Sequence, residues 1–211
     1  MKYKCIIFDC DGVLVDSETI SSKVIVDLAN KLGANITLQY AISTYKGTSL
    51  HFVKNDIKKR TAKELPIDFD EQYRTESFAA FKNQLKPIHG VKELLSQLNV
   101  PICVASNGPL NKMQLNLAVT QLLPYFKNNL FSAYEIGFWK PDPTLFLHAA
   151  KTMGFLPKDC LVIEDSLSGI KAAKTAGFTV IALANTTEKE DFKNLGAIVV
   201  STMKEILPLL G

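Results

Sequence analysis

The sequence predicts an α/β fold: a doubly wound, mostly parallel sheet with an α-helical domain inserted after its first strand. Three observations predict it. Short β-rich runs alternate with helix-length stretches through most of the 211 residues. The alternation stops between residues 17 and 86, which contain no convincing strand. Polar and acidic clusters directly follow the apolar runs, where an open α/β sheet binds its ligands. The expected strands are 4–8, 102–105, 130–132, 161–164, 179–183 and 198–200. Helices are expected near 90–98, 111–122, 143–153, 167–176 and 203–210. The predicted domains are 1–16 plus 87–211, an α/β core, and 17–86, a helical cap.

Taken in order, the first strand is the apolar run Cys5-Ile6-Ile7-Phe8, which ends at once in Asp9-Cys10-Asp11-Gly12. The inserted segment starts with a helical spacing of apolar residues, Val24, Ile25, Leu28 and Leu32. Stretches 50–63 and 71–85 are also helix-like, and the insertion ends before Pro87-Ile88-His89-Gly90. In the core, Pro143 suits the first turn of a helix that stops at Gly154. Ser166 can cap the helix that begins at Leu167, and Gly177 sits just past its end.

The chain is 47% hydrophobic and 21% charged, an ordinary globular composition. A net charge of +3 is too small and scattered to suggest nucleic acid. Segment 17–86 holds 11 Lys and Arg against 8 Asp and Glu, and the remainder is neutral. That excess is either a chance feature of helical surfaces or a mildly basic lid over an anionic substrate. No apolar stretch approaches the roughly 20 residues of a membrane span. Only four apolar residues separate the first lysines from Asp9, so no export signal and a cytoplasmic protein are expected. Cys5, Cys10, Cys103 and Cys160 form no Cys-x-x-Cys pair and read as buried small hydrophobes. His51, His89 and His148 lack metal-ligand spacing.

Four clusters sit at expected strand ends: Asp9 with Asp11, Ser106-Asn107-Gly108, Lys140-Pro141-Asp142-Pro143, and Glu164-Asp165-Ser166. Singly, each has a plain structural reading, as an Asx-turn, a common turn, a solvated loop and an acidic helix start. Together, and in this order, they describe a phosphoryl-transfer site. Asp9 would attack phosphorus as a nucleophile. Asp11 would serve as general acid, then as general base toward water. Asp9, the backbone carbonyl of Asp11, Glu164 and Asp165 would form an all-oxygen Mg²⁺ site. The Ser106 hydroxyl and the backbone N–H groups of Asn107 and Gly108 would bind phosphoryl oxygens, beside the charge of Lys140.

In these motifs the chain resembles the haloacid dehalogenase superfamily of phosphotransferases, in the branch with a helical cap that includes β-phosphoglucomutase. The resemblance spans essentially the whole chain. It implies Asp9 as nucleophile, Asp11 as acid/base, and Asp9, Asp11, Glu164 and Asp165 as the Mg²⁺ site. Ser106, Asn107 and Lys140 would hold the phosphate. Residues 104–114 and Phe138-Trp139-Lys140 are similar to bacterial sugar-phosphate phosphatases, 6-phosphogluconate phosphatases among them. The resemblance implies a Mg²⁺-dependent hydrolysis of a small phosphorylated metabolite, such as a sugar or sugar-acid phosphate, and a monomer fits it. Lys46-Gly47-Thr48-Ser49, a polar loop inside the helical insertion, would face the leaving group, with Lys46 binding its anionic or hydroxyl-rich end.

Other activities fit the pattern to different degrees. Dehalogenases on this scaffold lack a second Asp at the place of Asp11, and halide displacement would not need Glu164 beside Asp165. A β-phosphoglucomutase-type phosphotransferase shares every core motif and differs in how well water is excluded. A receiver-like signalling domain shares the acidic cluster and lysine but carries no helical insertion.

Overall fold

The sheet owes its form to runs that are apolar up to their polar C-terminal ends. Cys5–Phe8 (β1), Ile102–Ser106 (β2) and Cys160–Glu164 (β4, after β3 at Leu130–Ser132) are buried at every residue. Strands covered on both faces need such continuous burial, and parallel crossover sheets supply it. Thr179–Leu183 (β5) and Ile198–Val200 (β6) complete the sheet. The computed structural model describes residues 2–46, 48–184 and 187–211. Among these, the six strands are ordered β3-β2-β1-β4-β5-β6 and every pairing is parallel. The doubly wound parallel sheet predicted from the sequence is therefore present.

β1 lies at the centre. Phe8 is in register with Val104 of β2 on one side and Ile163 of β4 on the other. The chain winds outward from β1 through β2 to β3, then returns to start again at β4. The β1–β4 boundary is thus the topological switch point, the crevice at which doubly wound folds bind ligands.

The chain divides into two compact units, Met1–Val15 with Lys86–Gly211, and Asp16–Leu85. The second is helical: Glu18–Lys31 (α1), Leu38–Tyr45 (α2), Leu50–Thr61 (α3) and Phe69–Gln84 (α4). Its core joins Val24, Ile25 and Leu28 of α1 to Ala41 and Tyr45 of α2, Val53 and Ile57 of α3, and Phe69. A polar knot sits at its edge. Asp56 Oδ2 accepts hydrogen bonds from the hydroxyls of Tyr45 (2.7 Å) and Tyr40 (3.2 Å) and from Arg60 Nε (2.8 Å).

In the first unit the sheet is flanked by Val91–Gln97 (α5), Leu110–Val119 (α6), Leu123–Phe126 (α7), Ala133–Ile136 (α8), Thr144–Met153 (α9), Leu167–Thr175 (α10) and Lys189–Asn194 (α11). The expected caps are realised. Ser166 accepts a hydrogen bond from Gly169 N at the head of α10, and Gly154 and Gly177 follow α9 and α10 with positive φ. One core cluster packs Cys5, Ile7, Cys103 and Val162 of the sheet against Leu145 and Phe146 of α9 and Ile170 of α10.

Some expected elements are corrected. The helix expected near 203–210 is two 3₁₀ turns, Met203–Glu205 and Leu207–Leu210, because Pro208 has no N–H to continue an α-helix. The helix expected near 111–122 ends at Val119, where Gln121 turns left-handed before α7. α1 begins at Glu18, ahead of the apolar spacing that starts at Val24. The helices α2, α7, α8 and α11 have no counterpart among the expected ones. Gly47, in the middle of the polar loop 46–49, lies outside the described residues. No helix among the described residues is long and apolar enough to cross a membrane.

Candidate active site

Asp9 follows β1 directly, with its N–H bonded to Ile163 O (2.9 Å), so the β1–β4 ladder runs up to the nucleophile candidate itself. Beyond it, the chain folds back on Cys10 O through Leu14 N and Val15 N. Gly12 takes φ +78° in this turn, and a Cβ there would overlap the Asp165 carboxylate. The glycine therefore serves both the turn and the approach of a neighbouring carboxylate.

Lys140 is the hub of the site. Its Nζ lies 2.6 Å from Asp9 Oδ1 and 2.7 Å from Glu164 Oε1, and 4.7 Å from the centre of the Phe146 ring. All three charged residues are buried. The other oxygen of Glu164 accepts from Asp165 N (2.8 Å), Ser166 N (2.8 Å) and Ser166 Oγ (2.9 Å). Glu164 is thus fixed at both ends, and it fixes Lys140. Gly169 on α10 makes room for it, since a Cβ at that position would overlap the Glu164 carboxylate.

Burial pushes the Asp9 carboxyl up to about 7, with Lys140 opposing and Glu164 and Asp11 adding to the rise. Burial works against the Lys140 charge, but the carboxylates of Asp9 and Glu164 outweigh it and hold the ammonium above its ordinary range. One ammonium between two carboxylates leaves negative charge over, and Asp165 brings a further carboxylate. One oxygen from each of Asp9, Glu164 and Asp165 lies within 4.8 Å of the others. An all-carboxylate set suits a hard divalent cation such as Mg²⁺, so the residues present fit that ion. The Asp11 side chain is directed elsewhere, toward α6.

The Ser106-Asn107-Gly108 loop sits at the end of β2. Ser106 Oγ is buried and accepts from Gly108 N (3.0 Å), which leaves its own O–H to donate. The Asn107 side chain grips the Lys140 backbone, accepting from its N–H at 2.8 Å and donating to its carbonyl at 3.4 Å. Asn107 therefore ties the second cluster to the third. Ser132 Oγ, at the end of β3, donates to Gly108 O (2.8 Å) and steadies the loop.

The structure thus brings Asp9, Lys140, Glu164 and Asp165 together and places Ser106, Asn107 and Gly108 in one loop linked to Lys140. Lys46 belongs to the helical unit, where its Nζ lies 4.0 Å from Glu18 Oε2. All four cysteines are buried, and burial together with the charges of Asp11 and Asp9 keeps the Cys10 thiol protonated. Two residues were not singled out from sequence. Lys112 Nζ lies 2.7 Å from Asp11 Oδ2, and Asn116 Nδ2 lies 3.5 Å from Asp11 Oδ1. A Lys and an Asn four residues apart share a helix face, but nothing in that local pattern pairs the face with Asp11.

A family model described as a haloacid dehalogenase-like hydrolase matches residues 3–177. The chain is 36% identical over 180 residues to 6-phosphogluconate phosphatase of Escherichia coli (strain K12), covering 85% of this chain and 81% of that protein. A crystal structure of a conserved haloacid dehalogenase-like protein from Agrobacterium tumefaciens str. C58 superposes with a TM-score of 0.86 at 30% identity, over 99% of this chain and 97% of that one. A family hydrolase from Deinococcus radiodurans R1, solved with bound phosphate and sodium, gives 0.80 at 29% identity, over 98% and 93%. Matched along most of its length in sequence and almost all of it in fold, the chain belongs to the haloacid dehalogenase-like hydrolase family.

Proposed function

We propose that this hydrolase is a Mg²⁺-dependent phosphatase that cleaves a small phosphomonoester, a sugar or sugar-acid phosphate, through an aspartyl phosphate on Asp9. The observation that carries the reading is Asp9 held 2.6 Å from Lys140 at the switch point, with Glu164 and Asp165 gathered beside it. The phosphatase name of the Escherichia coli relative and the phosphate bound in the Deinococcus hydrolase support it.

Asp9 attacks phosphorus with the carboxylate oxygen that Lys140 does not hold. The ester P–O bond breaks as the Asp–phosphorus bond forms, and Asp11 gives its proton to the departing alkoxide. Asp11, now ionised, takes a proton from water. The water oxygen bonds to phosphorus, the Asp9–phosphorus bond breaks, and inorganic phosphate leaves. Ser106 O–H, the backbone N–H of Asn107 and the Lys140 ammonium bind the phosphoryl oxygens. Asp9, the Asp11 carbonyl and Asp165, with Glu164 beside them, would hold Mg²⁺, which supplies charge neutralisation between phosphate and nucleophile. The helical unit is assigned the choice of leaving group, with Lys46 as its recognition residue.

The test is phosphate release from a panel of phosphorylated metabolites by the wild-type chain and by Asp9→Asn and Lys46→Ala. Turnover should need Mg²⁺ or Mn²⁺, stop in excess chelator and vanish in Asp9→Asn. Lys46→Ala should lower kcat/KM for the best metabolite by about 1–3 kcal/mol and barely change p-nitrophenyl phosphate. Full activity in chelator contradicts the metal assignment, and matching losses on both substrates contradict the role of Lys46.

A further inference from the structure

We infer that Lys112 and Asn116, one turn apart on α6, are positioning residues for Asp11: they hold its two carboxylate oxygens and set the direction from which it meets the leaving group. The inference rests on the phosphatase reading above and adds residues to it.

Three observations carry it. First, the contacts are divided between the two oxygens. Lys112 Nζ donates to Oδ2 at 2.7 Å, and the amide of Asn116 faces Oδ1 at 3.5 Å. Held at both ends, a carboxylate loses its freedom to rotate. Second, Asn116 is completely buried on a helix face whose other buried side chains are Met113 and Leu117. An apolar residue would fill that place at no cost, whereas a buried amide is costly unless its polar atoms are used. Its Oδ1 has no hydrogen-bond partner among the described residues, so the site carries part of that cost. The contact that Asn116 does make there is to Asp11. Third, α6 starts directly after the Ser106-Asn107-Gly108 loop. A Cβ on Gly108 would stand 3.4 Å from Ser106 Oγ, 3.6 Å from Lys112 Cδ and 3.8 Å from Asp11 Oδ2. One helix thus fixes both the phosphate loop and the acid/base.

The consequence is kinetic. An acid/base must lie within hydrogen-bond reach of the atom it serves. Released from Lys112, Asp11 would remain chemically intact but poorly aimed. Its help matters most when the leaving group is a strongly basic alkoxide and least when it is p-nitrophenolate.

The experiment compares kcat and KM on the best sugar phosphate and on p-nitrophenyl phosphate, for wild type, Lys112→Met, Lys112→Arg and Asn116→Leu. Lys112→Met should lose roughly tenfold or more in kcat on the sugar phosphate, the scale of a misplaced catalytic group, with a several-fold smaller loss on p-nitrophenyl phosphate and little change in KM. Lys112→Arg should recover most of the loss. Asn116→Leu should show the same substrate-dependent loss while its Tm holds or rises, because a buried amide has become apolar. A rise in KM on both substrates would make Lys112 a phosphate-binding residue and overturn the inference. Equal kcat losses on both, or unchanged kinetics, would overturn it as well. The phosphatase reading fails separately, if wild type releases no phosphate or Asp9→Asn keeps its activity.

Discussion

Lys140 Nζ lies between Asp9 Oδ1 and Glu164 Oε1, at 2.6 and 2.7 Å, with the lysine and glutamate side chains shut off from water and the Asp9 side chain 12% exposed. The lysine comes from the loop before α9, the aspartate from the end of β1 and the glutamate from the end of β4. One cation therefore joins three segments distant in sequence. Lys140→Met keeps the stem over the Phe146 ring but leaves the two carboxylates facing each other. Removing one partner of a buried ion pair costs about 3–5 kcal/mol. Urea unfolding without metal should show a loss of that order, and phosphate release should fall by at least about a hundredfold.

Gly169 explains how Glu164 can be wholly buried at a helix start. A methyl group there would overlap its carboxylate. Gly169→Ala should therefore shift Glu164, loosen Lys140 and lower stability by about 1–3 kcal/mol, the usual range for overpacking. Lys171→Ala, on the exposed side of the same helix, should stay within about 0.5 kcal/mol. Thermal melts of the two variants, with kcat alongside, check this.

The sheet is legible because its strands are short apolar runs punctuated by charge, and Asp9, Glu164 and Asp165 stand out at the ends of two such runs, whereas Lys140 lies beyond β3 and α8 in the loop before α9. What stayed hidden depends on contacts across the chain. Lys112 and Asn116 sit in an ordinary amphipathic helix, and nothing local marks them as facing Asp11, about a hundred residues earlier. Asn107 is expected from the sequence to hold phosphate, with its backbone N–H as the donor, and the sequence does not show that its side chain binds the backbone of Lys140. Leu38–Tyr45 carries a weak helical signal because its buried face is small, Ala41 and Tyr45. In the C-terminal segment a helix is expected near 203–210, and Pro208, which has no N–H, restricts it to 3₁₀ turns.

The helical unit has its own electrostatic test. Burial alone would raise the Asp56 carboxyl. The hydrogen bonds from Tyr45 and Arg60, the Arg60 charge and the Tyr40 hydroxyl outweigh burial and hold it below the ordinary range. A carboxyl depressed in the folded state stabilises above its unfolded pKa, about 3.9, and that stabilisation is lost as the pH falls through the folded value. Asp56→Ala should therefore be clearly less stable than wild type at pH 7. The gap should narrow steadily as the pH falls below about 4. A gap that stays constant from pH 7 to pH 3 would mean that packing, not charge, accounts for it.

In the proposed reaction Asp9 carries the phosphoryl group between substrate and water. The most direct test is to quench turnover in the steady state, reduce the protein with borohydride, and map the peptides by mass spectrometry. An acyl phosphate is reduced to the alcohol, whereas a free carboxylate is not. Reduction is expected at residue 9 alone, dependent on substrate and Mg²⁺, and absent in Asp9→Asn. Continued phosphate release with residue 9 unmodified, or reduction at another carboxylate, would contradict it.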